Sequence, residues 1–223
     1  MLSQKYDERN ISMGIIDSGL TWELISTEHI IQDRFIDFRR SAYRLPNGTV
    51  CEPFYHYSCR DYVVIVATDE EGRYICVRQY RPGIGEVTTE FPAGGIERND
   101  GRQYAGSSRR AETDAFAEAA LDTAKRELLE ETGYTSDDWT HLLTVPSNAV
   151  ISDNYAVVFA ARNCRRTGTQ DLDDTEFLNV VTHSEDEIEQ LVYTGGFQQS
   201  VHVMAWMLSK KETGSPNCER TDI

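Results

Sequence analysis

Basic residues are scarce in this chain: 22 Lys and Arg stand against 37 Asp and Glu, for a formal net charge of −15. Binding along a phosphate backbone draws on clustered Lys and Arg, so no nucleic-acid partner is expected. Long apolar runs are missing too. No stretch approaches 18 consecutive apolar residues, and Met1 to Asn10 is polar. Neither a membrane span nor a secretory signal is therefore expected, and the cytoplasm is the expected compartment. The five cysteines (Cys51, Cys59, Cys76, Cys164, Cys218) are odd in number and form no CxxC spacing. That pattern favours reduced thiols over disulfides or a zinc site. Internal repeats are absent. Carboxylate is what this chain has in plenty, and one segment concentrates it.

That segment is Arg126-Glu127-Leu128-Leu129-Glu130-Glu131-Thr132-Gly133-Tyr134. At about 100° per residue, Glu127, Glu130 and Glu131 stand at i, i+3 and i+4, so they share one helix face with side chains about 5–6 Å apart. Like charges at that spacing repel, and a divalent cation is the natural counter-charge. Oxygen-only ligands suit Mg²⁺ or Mn²⁺ better than zinc. Charge runs are usually solvated helix faces, but the neighbours argue for more. Arg126 stands four before Glu130 and can brace it, Gly133 can end the helix in the left-handed region, and Leu121, Ala124 and Leu128 form an apolar stripe behind the acidic face.

The segment resembles the second half of the Nudix hydrolase box, which reads Gly, five residues, Glu, seven residues, then Arg-Glu-aliphatic-x-Glu-Glu-x-Gly-aliphatic. Arg126, Glu127, Leu128, Glu130, Glu131 and Gly133 match, with Tyr134 in the last place, and Glu118 matches the first glutamate. The box glycine does not fit: its position holds Glu112, and the upstream Gly94-Gly95 pair leaves 22 residues between Gly95 and Glu118. The difference reads as an inserted exposed loop of about 17 residues, Arg98 to roughly Ala115. Upstream, Arg-Gln-Tyr-Arg-Pro (78–82) is followed by Glu-Phe-Pro-Ala-Gly (90–94). That pairing is similar to the ADP-ribose and nucleoside-diphosphate-sugar pyrophosphatase branch of the family.

The resemblance implies an α/β fold, an α/β/α sandwich around a mixed sheet, with an N-terminal β extension over residues 1–58. A catalytic domain follows over 59–212, and the tail over 213–223, which has no apolar periodicity, is expected to be disordered. The resemblance also implies a homodimer in which the N-terminal unit of one subunit helps to close the other's site. By carry-over, Glu127 and Glu131 are the strongest metal ligands, Glu130 is next, and the carbonyl of Ala93 contributes another. Glu118 becomes an outer ligand or a substrate-side carboxylate, and Arg126 orients the carboxylates. Arg81 is the candidate for a substrate phosphate, Glu90 is a further substrate contact, and Phe35 and Phe54 are candidates to sandwich a nucleobase. Strand aromatics are more often core. The general base comes from an acidic loop, Asp171 to Val180, in which Glu176 is the matched residue and Asp173 and Asp174 are rivals.

The implied reaction is metal-dependent hydrolysis of a nucleoside-diphosphate sugar to NMP plus sugar phosphate. A Pro-Gly element typical of ADP-ribose enzymes is missing at Val145 to Asp153, which leaves GDP- or UDP-sugars and NADH-like dinucleotides open. The alternative is a Nudix-fold sensor that binds without cleaving. Such proteins lose box carboxylates or gain a DNA-binding domain, whereas Glu127, Glu130 and Glu131 are all present here.

Alternating, β-rich runs at 35–45 and 50–57 flank a Pro46-Asn47-Gly48 turn and read as a hairpin. A second hairpin is expected from strands over 62–68 and 73–79, turned at Asp69 to Gly72, and further strands over 139–145, 155–161 and 177–182. Ser184 with Glu185, Asp186 and Glu187 reads as a helix start, and a last helix is expected over 197–211.

Overall fold

The computed structural model describes residues 19–97 and 114–213. The inserted segment, apart from its last residues, and the tail from Gly214 lie outside the described residues. Fourteen elements follow one another: β1 (Glu23–Gln32), β2 (Asp37–Arg44), β3 (Val50–Ser58), β4 (Tyr62–Asp69), β5 (Tyr74–Arg81), β6 (Glu86–Glu90), β7 (Ala93–Gly95), α1 (Asp114–Thr132), β8 (Tyr134–Thr135), β9 (Asp138–Pro146), β10 (Tyr155–Arg166), β11 (Leu178–His183), α2 (Glu185–Thr194) and α3 (Ser200–Thr213).

The central strand β4 reads Tyr-Val-Val-Ile-Val-Ala-Thr-Asp, a nearly unbroken apolar run, as a strand covered on both faces should. Its side chains alternate. Val63, Ile65 and Ala67 point to one core with Ile75, Val157, Phe159 and the α1 residues Ala120, Ala124 and Leu128. Val64 and Val66 point to the other, with Cys76, Phe91, Ile188 of α2, and Ala205 and Trp206 of α3. Helices thus cover both faces of the eight-stranded sheet, whose spine runs β11-β5-β4-β10-β8. The β4–β10 pair is parallel and the others are antiparallel, which makes the sheet mixed. This is the expected α/β/α sandwich.

A separate antiparallel sheet, β1-β2-β3, carries the N-terminal extension. It meets the main body through an isolated parallel bridge between Tyr57 and Ser152 and through Asp153. The Asp153 Oδ2 accepts from Ser58 Oγ at 2.5 Å and from Arg39 Nη2 at 3.2 Å.

Most expected elements are present within a few residues. The last helix begins at Ser200, three residues later than the pattern suggested, and α1 begins at Asp114, so Asp114 and Ala115 belong to the helix rather than to the inserted loop. Strand β1 is additional. Its ten residues are all exposed, and register shifts against β2 fall between Leu24 and Ser26 and between His29 and Ile31. Such bulges break the period-2 alternation by which a strand is recognised. The short strands β6 and β7 carry no apolar pattern of their own, and their ladders with β5 and β4 create them.

Candidate active site

Helix α1 faces two ways. Ala120, Ala124 and Leu128, one turn apart, are fully buried against the sheet. Glu127 and Glu131 are buried as well, with relative exposures of 7% and 3%, so this acidic face is not a solvated one. Arg126 bridges two of its members, donating from Nη2 to Glu127 Oε1 at 2.7 Å and from Nη1 to Glu130 Oε2 at 2.5 Å. Glu131 turns to the strand beside it and accepts from the Ala93 N–H at 3.1 Å.

Gly94 is required by this approach. A Cβ there would lie 2.0 Å from the Glu127 carboxyl carbon, so any side chain would occupy the carboxylate's place. At the other end of the turn, Gly133 has φ +75° and its N–H donates to Leu129 O at 2.7 Å, closing α1 as expected.

Gly94, Arg126, Glu127 and Glu130 open on a cavity of about 430 Å³, whereas Ala93 and Glu131 are not among its lining residues. Its acidic lining comes from Glu97, Glu127, Glu130, Asp171, Asp173 and Glu176, its cationic lining from Arg60 and Arg126, and Gly94 and Gly95 form part of its wall. The sequence-distant loop is therefore brought to the helix. It is held there at the helix C-terminus, where Asp171 N donates to Glu130 O at 2.9 Å and Gln170 Nε2 donates to Glu131 O at 2.9 Å. Glu176 Oε2 accepts from Asp173 N at 3.3 Å. Asp174 does not line this cavity.

The remaining sequence candidates stand elsewhere. Arg81 donates from Nε to Glu90 Oε1 at 2.9 Å and from Nη2 to Glu90 Oε2 at 2.5 Å, and Glu90 is fully buried. Neither residue lines the cavity. Glu118 is exposed on α1, outside the cavity lining. At about 100° per residue it is half a turn round the helix from Glu127. Phe35 is 66% exposed between β1 and β2, under the Arg34 guanidinium at 4.5 Å. Phe54 packs edge-on against Trp22 and Tyr43, at ring-centroid distances of 6.0 and 5.5 Å.

Two contributors had no sequence signal. His202 of α3 is fully buried, which pushes its pKa down to about 3, and its neutral Nδ1 accepts from the Phe91 N–H at 3.1 Å. It thereby anchors the strand that delivers Ala93. The other contributor is Arg60, which directly precedes the buried Asp61 at the start of β4.

Electrostatics make the acidic wall costly as it stands. Burial pushes Glu131 up to about 8; the Ala93 N–H opposes this, while the charges of Glu127 and Glu176 add to it. Burial also raises Glu127, Arg126 pulls it back, and Glu130 and Glu176 raise it further. The wall sits at the negative end of the α1 dipole, and the last turn of α1 has no basic residue. Among the described residues, no three Asp, Glu, His or Cys side chains are already gathered in ligating geometry, since Arg126 and the Ala93 N–H hold these carboxylates. The donor set nevertheless fits a hard divalent cation, because every candidate ligand is oxygen and the acidic lining residues outnumber the two arginines.

With this geometry in view, known proteins are informative. The NUDIX domain model matches residues 60–207. The chain belongs to the NUDIX family. It is 28% identical over 177 residues to an ADP-ribose pyrophosphatase of Bacillus subtilis (strain 168), covering 78% of this chain and 84% of that one. It is 25% identical over 184 residues to a methanol dehydrogenase activator of Bacillus methanolicus, covering 81% and 88%. A crystal structure of an ADP compounds hydrolase superposes with a TM-score of 0.68 at 20% identity, over 86% of this chain and 96% of that one, so the NUDIX fold is shared. Among the described residues, no helix is long and apolar enough to cross a membrane.

Proposed function

We propose that this NUDIX protein is a divalent-metal-dependent pyrophosphatase that hydrolyses the phosphoanhydride bond of a nucleoside-diphosphate sugar of the ADP-ribose type, releasing NMP and a sugar phosphate. One observation carries the reading: the helix carboxylates Glu127 and Glu130 and the loop carboxylate Glu176 line the same cavity, although the loop lies some 45 residues further along the chain. The name of the Bacillus subtilis relative, an ADP-ribose pyrophosphatase, supports it.

Glu127, Glu130 and Glu131, with the Ala93 carbonyl, would hold Mg²⁺ or Mn²⁺. When bound, the metal supplies Lewis-acid neutralisation of the diphosphate charge. Arg126 keeps the Glu127 and Glu130 carboxylates oriented toward the cavity. Glu176 is the general base that accepts the proton of the attacking water, within a loop fixed to the helix end. Placing water and phosphorus in line is the main catalytic contribution of such a site.

The N-terminal sheet is read as the dimerisation and substrate-closing unit of a cytoplasmic homodimer. Leu24, Ile25, Ile30 and Ile31 expose apolar surface on β1, consistent with that role.

Purified protein with Mg²⁺ or Mn²⁺ is expected to convert at least one member of an ADP-, GDP- and UDP-sugar panel to NMP and sugar phosphate, and chelation to stop it. Binding of a panel member without turnover would replace the enzyme reading with a sensor.

A further inference from the structure

A diphosphate entering this cavity meets six acidic lining residues and only two arginines. Arg126 is committed to Glu127 and Glu130, and Arg81, outside the lining, is committed to Glu90. Arg60 is different. Among the described residues it has no ion-pair partner, and it is exposed at the cavity wall beside Gly95, where a Cβ would lie 3.5 Å from the Arg60 Cδ.

Its backbone, by contrast, is fixed. The Arg60 carbonyl accepts from Nδ2 of the buried Asn154 at 3.1 Å. The next residue, Asp61, is buried and tied twice: its Oδ1 accepts from Tyr155 N at 2.7 Å, and its carbonyl accepts from Ile96 N at 2.8 Å. A long cationic side chain thus projects from an anchored backbone at the wall of an acidic cavity. A guanidinium so placed suits the non-bridging oxygens of a phosphate, which its planar fork can meet with paired hydrogen bonds.

We propose that Arg60 is a substrate-side phosphate contact of this enzyme, binding the diphosphate while the carboxylate wall holds the metal. The inference rests on the hydrolase reading above. It places Arg60 beside Arg81, the candidate that the resemblance implies and whose charge acts on Glu131. With its backbone held by Asn154, Asp61 and Ile96, Arg60 loses little freedom other than that of its side chain on binding.

The test uses the full chain with Mg²⁺ and the panel sugar it turns over fastest, together with calorimetric binding of α,β-methylene-ADP as a non-hydrolysable probe. Arg60→Ala is expected to raise KM and weaken probe binding by about 10-fold or more, with kcat falling much less. Arg60→Lys should recover part of the binding, since the charge remains without the fork. Thermal melting identical to the original protein, expected for an exposed side chain, would exclude misfolding as the cause. If the original protein turns over and binds the probe while Arg60→Ala matches it in KM and affinity, the Arg60 role is overturned and the hydrolase reading stands. If the original protein neither turns over any panel sugar nor binds the probe, both fall together.

Discussion

At the scale of single residues, Glu131 is the most constrained group in the site. Its carboxyl is buried and is raised from an ordinary value of 4.5 to about 8. A carboxyl whose folded pKa lies above its unfolded one binds a proton more readily in the folded state. The stability it contributes is present below about pH 4.5 and is lost as the pH rises through about 8. Metal-free protein should therefore melt at progressively lower temperature between pH 5 and 8.5, and Glu131→Gln should flatten that slope. Added Mg²⁺ should restore the most stability at the alkaline end, because metal binding requires the deprotonated carboxylate. A slope unchanged in Glu131→Gln would assign the effect to another group. The same substitution should lower turnover by about 100-fold or more, since outer-shell partners of metal ligands already cost 10–100-fold when removed. The carboxylates were legible in the sequence because helical spacing places Glu127, Glu130 and Glu131 together without knowledge of the fold. Arg60 and His202 were not legible. Their significance lies in contacts with Asn154 and Phe91, each roughly a hundred residues away in the chain.

At the scale of elements, legibility followed periodicity. Helix α1 carries its apolar stripe at helical spacing and β4 its continuous apolar run, so both could be read directly. Strand β1 could not, because its two bulges place Leu24 beside Ile25 and Ile30 beside Ile31, against strand alternation. Helix α2 was announced by its serine N-cap and acidic first turn, and the structure adds a capping box, in which Ser184 Oγ accepts from Glu187 N while Glu187 Oε2 accepts from Ser184 N at 2.6 Å. The loop before β11 is the element where sequence left a choice. Asp173 and Glu176 line the cavity, and the Glu176 charge acts on both Glu127 and Glu131. Glu176→Gln is expected to reduce kcat by about 100-fold or more with little change in KM, in keeping with loss of general-base catalysis. A larger kcat loss in Asp173→Asn, measured under the same saturating conditions, would transfer the role to that residue.

At the scale of the molecule, the stretch from Val145 to Asp153, where the Pro-Gly element is missing, has a visible structural use. Ile151 accepts from Tyr57 N at 2.9 Å, and Asp153 gathers Ser58 and Arg39, so this stretch joins the N-terminal sheet to the catalytic body. If this stretch also sets substrate choice, as the missing Pro-Gly element suggests, substitutions in it should alter both specificity and attachment of the N-terminal sheet. Exposed apolar side chains along β1 are the surface on which a second subunit would pack. Light scattering coupled to gel filtration should give twice the 25.3 kDa chain mass. Replacing Ile30 and Ile31 with Lys should shift it toward the monomer, with a rise in KM. A fully active monomer would remove the closing role from this sheet.

The segment after β10 is tied to the end of α1 by main-chain bonds. Thr167 N and Gly168 N both donate to Gly133 O, at 3.0 and 3.1 Å, and Asp171 N donates to Glu130 O. A Cβ on Gly133 would come within 2.5 Å of the Gly168 carbonyl oxygen, so the two strands of chain are as close as backbone allows. In deuterated solvent, these amides should exchange on the slow timescale of the last turn of α1, although Thr167 and Asp171 are exposed. The helix carboxylates and the Glu176 loop then share one opening event, and the deuterium uptake of Thr167, Gly168 and Asp171 reports how often the two come apart.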